Sequence, residues 1–213
     1  MQGKFKQLVN YFTNEDKKIR DNRWIFTSML AGAIASLVAS FVLSVEAVQL
    51  AANPDAILPC SVNAVINCAT VGVHPSAALF GFPNAFLGLI AEPVIITVAI
   101  AGLAGIRFPR GFMFAAQIGY TLAFVFAYYL FFTSMFVIQA LCPWCLLVTA
   151  STTFVVFSVT RYNIRENNLY LPKKAQKAAK KFIDKDYDKL VLGIVVVAIL
   201  AAIFLKYGAS LFA

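Results

Sequence analysis

Five long apolar stretches constrain this chain more than any other feature. They run from Trp24 to Leu43, Asn84 to Ile106, Phe112 to Ile138, Leu141 to Val159 and Leu190 to Leu205. A helix crosses the hydrocarbon core of a bilayer in about 20 residues, with a range of about 17–25. Four stretches meet that length, and the fifth meets it once its flanks are counted. None shows the alternation of a barrel strand, so each is expected to be a helix. Of the 213 residues 61% are hydrophobic and 13% charged, against roughly 45–50% and 25% in soluble domains. That excess needs lipid. The expected fold class is an all-α integral membrane protein with five transmembrane helices. The first stretch is too long for the apolar core of a cleaved export signal, about 7–15 residues, and is read as a retained span.

The basic residues orient these spans. They fall in residues 1–23 (Lys4, Lys6, Lys17, Lys18, Arg20, Arg23), between the second and third spans (Arg107, Arg110), and between the fourth and fifth (Arg161 to Lys189). Only Lys206 lies elsewhere. If all five stretches span, these three segments share one side, which the positive-inside rule makes the cytoplasm. The net charge of +8 is then a topology signal and an attraction to anionic lipid, and calls for no nucleic acid. Lys173 to Lys181 is expected to form a basic amphipathic helix on the inner membrane surface.

The same count places all four cysteines outside, where disulfides form and persist. Cys142-Pro143-Trp144-Cys145 opens the fourth span. Residues three apart share a helix face, so the two sulfurs can meet. A helix N-terminus favours a thiolate there, and Pro143 suits the first helical turn. A thiolate is the nucleophile of disulfide exchange. Cys60 and Cys68 are separated by seven residues in a loop, 44–83, that lacks lysine and arginine. A mobile loop pair above a fixed membrane pair makes a shuttle and an active site. Two alternatives stay open on spacing alone: a structural membrane protein stapled by two disulfides, or a four-cysteine zinc site. C-x-x-C fits one half of such a zinc site and the loop pair fits the other poorly.

The order of these motifs carries a resemblance. Cys60 and Cys68, Ser76, the segment Gly81-Phe82-Pro83-Asn84-Ala85-Phe86-Leu87-Gly88, and then Leu141-Cys142-Pro143-Trp144-Cys145 together resemble the vitamin K epoxide reductase family in its bacterial form. The resemblance covers about Trp24 to Thr160. It implies a four-helix transmembrane bundle around a quinone, with the last apolar stretch added as a fifth helix. Residues 1–23 then form a basic cytoplasmic segment, 24–160 the catalytic bundle, 161–189 a basic cytoplasmic linker, and 190–213 the fifth helix and C-terminus. The activity implied is reoxidation of an extracytoplasmic thiol protein at the expense of a membrane quinone, in a bacterial plasma membrane. The partner implied is a separate thioredoxin-fold (DsbA-like) protein, since no thioredoxin-like domain follows the fifth stretch. The quinone is menaquinone, ubiquinone or a relative, and neither metal nor flavin is expected.

Residue by residue, the resemblance makes Cys60 the sulfur that exchanges with the partner. Cys68 pairs transiently with Cys142, and Cys145 stands nearest the quinone. Asn84 is placed to bind a quinone carbonyl, with Leu87, Leu130 and Trp144 lining the ring. Thr149 stands where animal members carry a tyrosine, a departure that bears on epoxide reduction. Ser76 is expected to anchor the loop by hydrogen bonding. His74, the only histidine, is read as a solvated loop residue. Glu92, the only acid inside a span, is read as a buried neutral carboxylic acid.

Overall fold

The computed structural model describes residues 16–208. The basic positions Lys4 and Lys6 lie outside the described residues. Among those described, the chain is helical apart from turns, loops and one isolated bridge. Helix α1 is Lys17–Ala52, α2 is Cys68–Gly72, α3 is Ala85–Leu103 and α4 is Arg110–Phe132. A single 3-10 turn, Pro75–Ala78, lies between α2 and α3, and α4 runs on into a π-helical segment, Thr133–Ile138. Helix α5 is Pro143–Arg165, α6 is Lys173–Asp184 and α7 is Tyr187–Tyr207. Five of these, α1, α3, α4 with its π segment, α5 and α7, are long and apolar enough to cross a membrane. The protein is an all-α membrane protein with five spans, as expected.

Helices α1 and α7 overrun their apolar stretches at both ends, whereas α3 falls inside its own. α1 has 36 residues, about 54 Å at 1.5 Å per residue, against a hydrocarbon core of about 30 Å. Its start is fixed by Asp16, whose carboxylate accepts from the backbone N–H groups of Lys18 and Ile19. Its last turns run through the first residues of the expected loop and bury Ser44, Glu46 and Leu50. The polar segment between α5 and α7 is likewise mostly helical.

α1 is the centre of the bundle. Phe26, Met29 and Ala33 on α1 meet Ala99 on α3 and Val155 and Val159 on α5 in one buried cluster. Close approach depends on small residues, as in membrane helix pairs generally. A Cβ on Gly88 would stand 2.1 Å from Ser40 Oγ, and one on Gly102 would stand 2.3 Å from the Phe26 ring. These two contacts, at opposite ends of α3, fix it antiparallel to α1.

The two ends of the bundle differ chemically. At one end Arg161, only 7% exposed, pairs with Asp21 of α1 at 2.8 Å, with Asp188 of α7 at 2.7 Å and with Asp186 at 2.9 Å. Arg165 adds a second contact to Asp21 at 2.8 Å. Two of the basic residues that mark this end are therefore structural links among α1, α5 and α7. The lysines Lys173, Lys174, Lys177, Lys180 and Lys181 of α6 are exposed, while Gln176 and Ile183 of the same helix are buried. That is the amphipathic helix expected from the sequence.

α7 stands outside the four-helix bundle, and of its residues Tyr207 alone is buried. Its far end is tied down by two donors to one acceptor. Tyr207 Oη donates to Met135 O at 2.7 Å and Lys206 Nζ donates to the same oxygen at 2.5 Å. Met135 lies in the π segment, so the added helix holds the segment that leads to Cys142.

Glycine packing between α1 and α3 yields a direct test. Gly88→Ala is expected to lower stability by about 1–3 kcal/mol, the usual cost of overpacking, as a lower midpoint of thermal unfolding in detergent. Adding Ser40→Gly, which removes the clashing side chain, should recover most of that loss.

Candidate active site

The site is assembled by a short piece of backbone pairing. Ile66 in the loop and Leu141 before α5 form a parallel bridge. Leu141 N donates to Val65 O at 2.7 Å and Asn67 N donates to Leu141 O at 3.0 Å. Side chains set the shape of the loop on either side. Asn63 Oδ1 accepts from the N–H groups of Val65 and Ile66. Asn67 caps α2 by accepting from Thr70 N at 3.0 Å and also accepts from Ser61 Oγ at 3.1 Å. On the other side, the π segment ends at Gln139, which is left-handed at φ 58°. Ser134 Oγ donates to Ala140 O at 2.5 Å and closes that turn.

The bridge sets the sulfurs in register. Cys68 lies two residues after Ile66, and Cys142 lies one after Leu141. Cys60 and Cys68 are joined by a disulfide. Cys142 and Cys145 are free thiols. The Cys68 and Cys142 sulfurs stand 3.2 Å apart, although the residues are 2% and 1% exposed. Leu50 and Leu58 complete the buried cluster, with Leu43, Trp144 and Cys145 packed against it. One disulfide thus touches one thiol of a second pair, the starting geometry of thiol–disulfide exchange.

Cys142 occupies the N-cap position of α5, with Pro143 at the first helical position. Its thiol is held below the ordinary thiol range. The hydrogen bond from the Cys145 side chain is the largest cause; burial opposes it, and the N–H groups of Cys145 and Trp144 reinforce it. Thiolate character therefore falls on the sulfur that faces Cys68.

The remaining expected residues fall into two groups. Ser76 is buried, and its backbone carbonyl accepts from Asn84 Nδ2 at 2.7 Å, while Asn84 Oδ1 accepts from Leu79 N. His74 is not simply solvated: its Nδ1 accepts from Ser76 N at 3.2 Å and lies 2.8 Å from Ser76 Oγ. Thr149 is buried one turn below Cys145, and its hydroxyl donates to Cys145 O at 3.0 Å. Leu87 and Leu130 are half-buried and lie outside the cluster around the sulfurs.

Two features had no sequence signal of their own. Glu46 Oε1 lies 3.0 Å from Cys60 Sγ, because α1 continues past the apolar stretch that marked it. Tyr128 Oη, on α4, hydrogen-bonds Thr153 Oγ1 at 3.0 Å one turn below Thr149, a contact between two spans that neither sequence segment reveals. Deep in the bundle, Glu92 accepts from Tyr120 Oη at 2.5 Å and is buried, as its place inside a span implied.

The sequence matches the vitamin K epoxide reductase family over residues 27–160. The chain belongs to that family. The matched region contains most of α1, both cysteine pairs and most of α5, and it stops before α6 and α7. Membership makes the protein a membrane oxidoreductase, and the loop disulfide is consistent with redox chemistry carried by cysteines. No curated protein matches the chain.

The sulfur geometry predicts which cross-bond can form. With Cys60→Ser and Cys145→Ser combined, mild oxidation should link Cys68 to Cys142, seen as a linked peptide pair by mass spectrometry. With Cys60→Ser and Cys142→Ser combined, the Cys68–Cys145 link should form far more slowly. The hydrogen bond from Cys145 holds the Cys142 thiol down, so Cys145→Ala should move the pH midpoint of Cys142 alkylation upward.

Proposed function

We propose that this protein passes two electrons from an extracytoplasmic thioredoxin-fold dithiol, through its two cysteine pairs, to a membrane quinone. The observation that carries this reading is the 3.2 Å approach of Cys68 and Cys142 while Cys68 remains bonded to Cys60. Two permanent staples would need no such contact and would leave no free thiol.

In the proposed cycle the partner's thiolate attacks Cys60 and releases Cys68. Cys68 attacks Cys142 of the Cys142–Cys145 disulfide, and Cys145 leaves as a thiolate. The partner's second thiol releases Cys60, which attacks Cys68 and frees Cys142. Electrons then reside on Cys142 and Cys145, with the loop disulfide restored. That is the combination of bonds found here.

The quinone is a substrate drawn from the membrane. It accepts two electrons and two protons as the Cys142–Cys145 disulfide forms. Cys145, in the first turn of α5, is the sulfur proposed to face it. Trp144 and the buried Thr149 flank that sulfur along α5, and Leu87 and Leu130 would line the ring further out. Asn84 has already committed its oxygen and one N–H to the loop; its second N–H is the one proposed to donate to a quinone carbonyl. The basic end of the bundle is assigned to the cytoplasm by the positive-inside rule. The cysteines then face the outside of a bacterial plasma membrane, supporting disulfide formation in exported proteins.

Purified protein supplied with reduced thioredoxin and a short-tailed ubiquinone should reduce the quinone, followed by its absorbance. Cys145→Ser should abolish that activity while leaving thermal stability nearly unchanged. If Cys145 served only to staple the bundle, the substitution would instead cost roughly 2–5 kcal/mol with no activity to lose. After reduction, a membrane-impermeant maleimide should label the cysteines in intact cells; labelling only after lysis would reverse the assigned orientation.

A further inference from the structure

Among the described residues, Glu46 is the one titratable side chain beside the sulfurs that the cysteine cycle leaves without a task. It is 7% exposed, and its Oε1 lies 3.0 Å from Cys60 Sγ. Its nearest carboxylate oxygen and the Cys60 and Cys68 sulfurs all lie within 4.8 Å of one another. Among the described residues no lysine or arginine forms an ion pair with it. The loop from Asn53 to Asn84 contains none either. The titratable groups that face it are Cys60 from the loop, Cys68 from α2, and Cys142 and Cys145 from α5.

A sulfur in a disulfide carries no hydrogen. The proton in the short contact between Glu46 and Cys60 therefore belongs to the carboxyl group, which donates O–H to sulfur. An ionised carboxylate buried here without a cation would also be costly. It would oppose the thiolate on Cys142 as well, whose thiol a charged Glu46 pushes upward.

We propose that Glu46 is the proton-transfer residue for Cys60: it protonates the Cys60 sulfur as the partner leaves and recovers that proton when Cys60 closes the loop disulfide. The inference rests on the exchange cycle proposed above. In the first step, the partner's second thiolate attacks the partner sulfur of the mixed disulfide. The bond to Cys60 breaks, the electron pair stays on Cys60, and Glu46 supplies a proton. In the second step, Cys60 attacks Cys68 in the Cys68–Cys142 bond, Glu46 takes the proton back, and Cys142 leaves as a thiolate. Across the two steps the partner is oxidised to a disulfide, the second pair is reduced, and Glu46 ends as it began. A neutral Glu46 at both ends of the cycle spares Cys142 a neighbouring negative charge at the moment it leaves.

The test uses full-length protein, reduced thioredoxin as donor and a short-tailed ubiquinone as acceptor, with rates measured from about pH 6 to pH 9. Glu46→Gln keeps the shape and a hydrogen-bond donor but cannot exchange a proton. Its rate relative to unsubstituted protein should fall by about 10²-fold near pH 6, within the usual range for general acid–base catalysis. The deficit should shrink as pH approaches the ordinary thiol value of about 8.5, where Cys60 ionises unaided. Glu46→Asp keeps the carboxyl group and should preserve the shape of the unsubstituted profile at a lower rate. A Glu46→Gln deficit that is constant across pH, or absent, would overturn the proposal while the exchange cycle stands. No thioredoxin-dependent quinone reduction by the unsubstituted protein would overturn the cycle and this proposal together.

Discussion

Everything proposed for this protein depends on one short backbone pairing, the bridge between Ile66 and Leu141. Two N–H···O bonds, from Leu141 to Val65 and from Asn67 to Leu141, join a loop with no regular structure of its own to the first residues of a transmembrane helix. Without that pairing the Cys60–Cys68 disulfide would be an ordinary loop staple. With it, Cys68 is held against Cys142. The bridge is supported from both sides, by the asparagines that shape the loop and by the π segment that α7 holds through Met135. Hydrogen bonds of this kind contribute only about 0.5–1.5 kcal/mol each. Their number and their burial, rather than any single one, make the register specific.

The helices below supply the rigidity that such a register needs. Glycine contacts bring α3 against α1, and the Arg161 network locks α1, α5 and α7 together at the opposite end. An exposed ion pair would add little, but Arg161 is almost fully buried and meets three carboxylates. The chemistry sits at one end of a bundle and the charge network at the other. The Arg161 ion pairs thus lie away from the thiols, and Glu46 is the carboxyl group beside the loop disulfide.

Most of the fold was legible because lipid imposes a simple rule. Long apolar stretches must be helices, and all five were found where the sequence placed them. Helix ends were less legible, because a helix in a polar setting has no hydropathy signal; the last turns of α1 looked like loop and carry Glu46. The two cysteine pairs could be read from spacing and family resemblance. The role of His74 could not, since its capping bond depends on where the 3-10 turn begins. Nor could the Tyr128–Thr153 contact, which requires knowing how α4 and α5 are rotated about their axes. Asn84 was read as a quinone ligand from the resemblance; what the structure shows is its amide engaged with the loop.

The central claim is that electrons cross from the loop pair to the membrane pair through Cys68 and Cys142. Differential isotope alkylation after acid quenching measures this most directly. Fully oxidised protein is mixed with reduced thioredoxin, without quinone, and the state of each cysteine is followed by mass spectrometry. The account predicts that Cys142 and Cys145 accumulate as thiols while the Cys60–Cys68 disulfide is restored. Accumulation of Cys60 and Cys68 thiols beside an intact Cys142–Cys145 disulfide would contradict it.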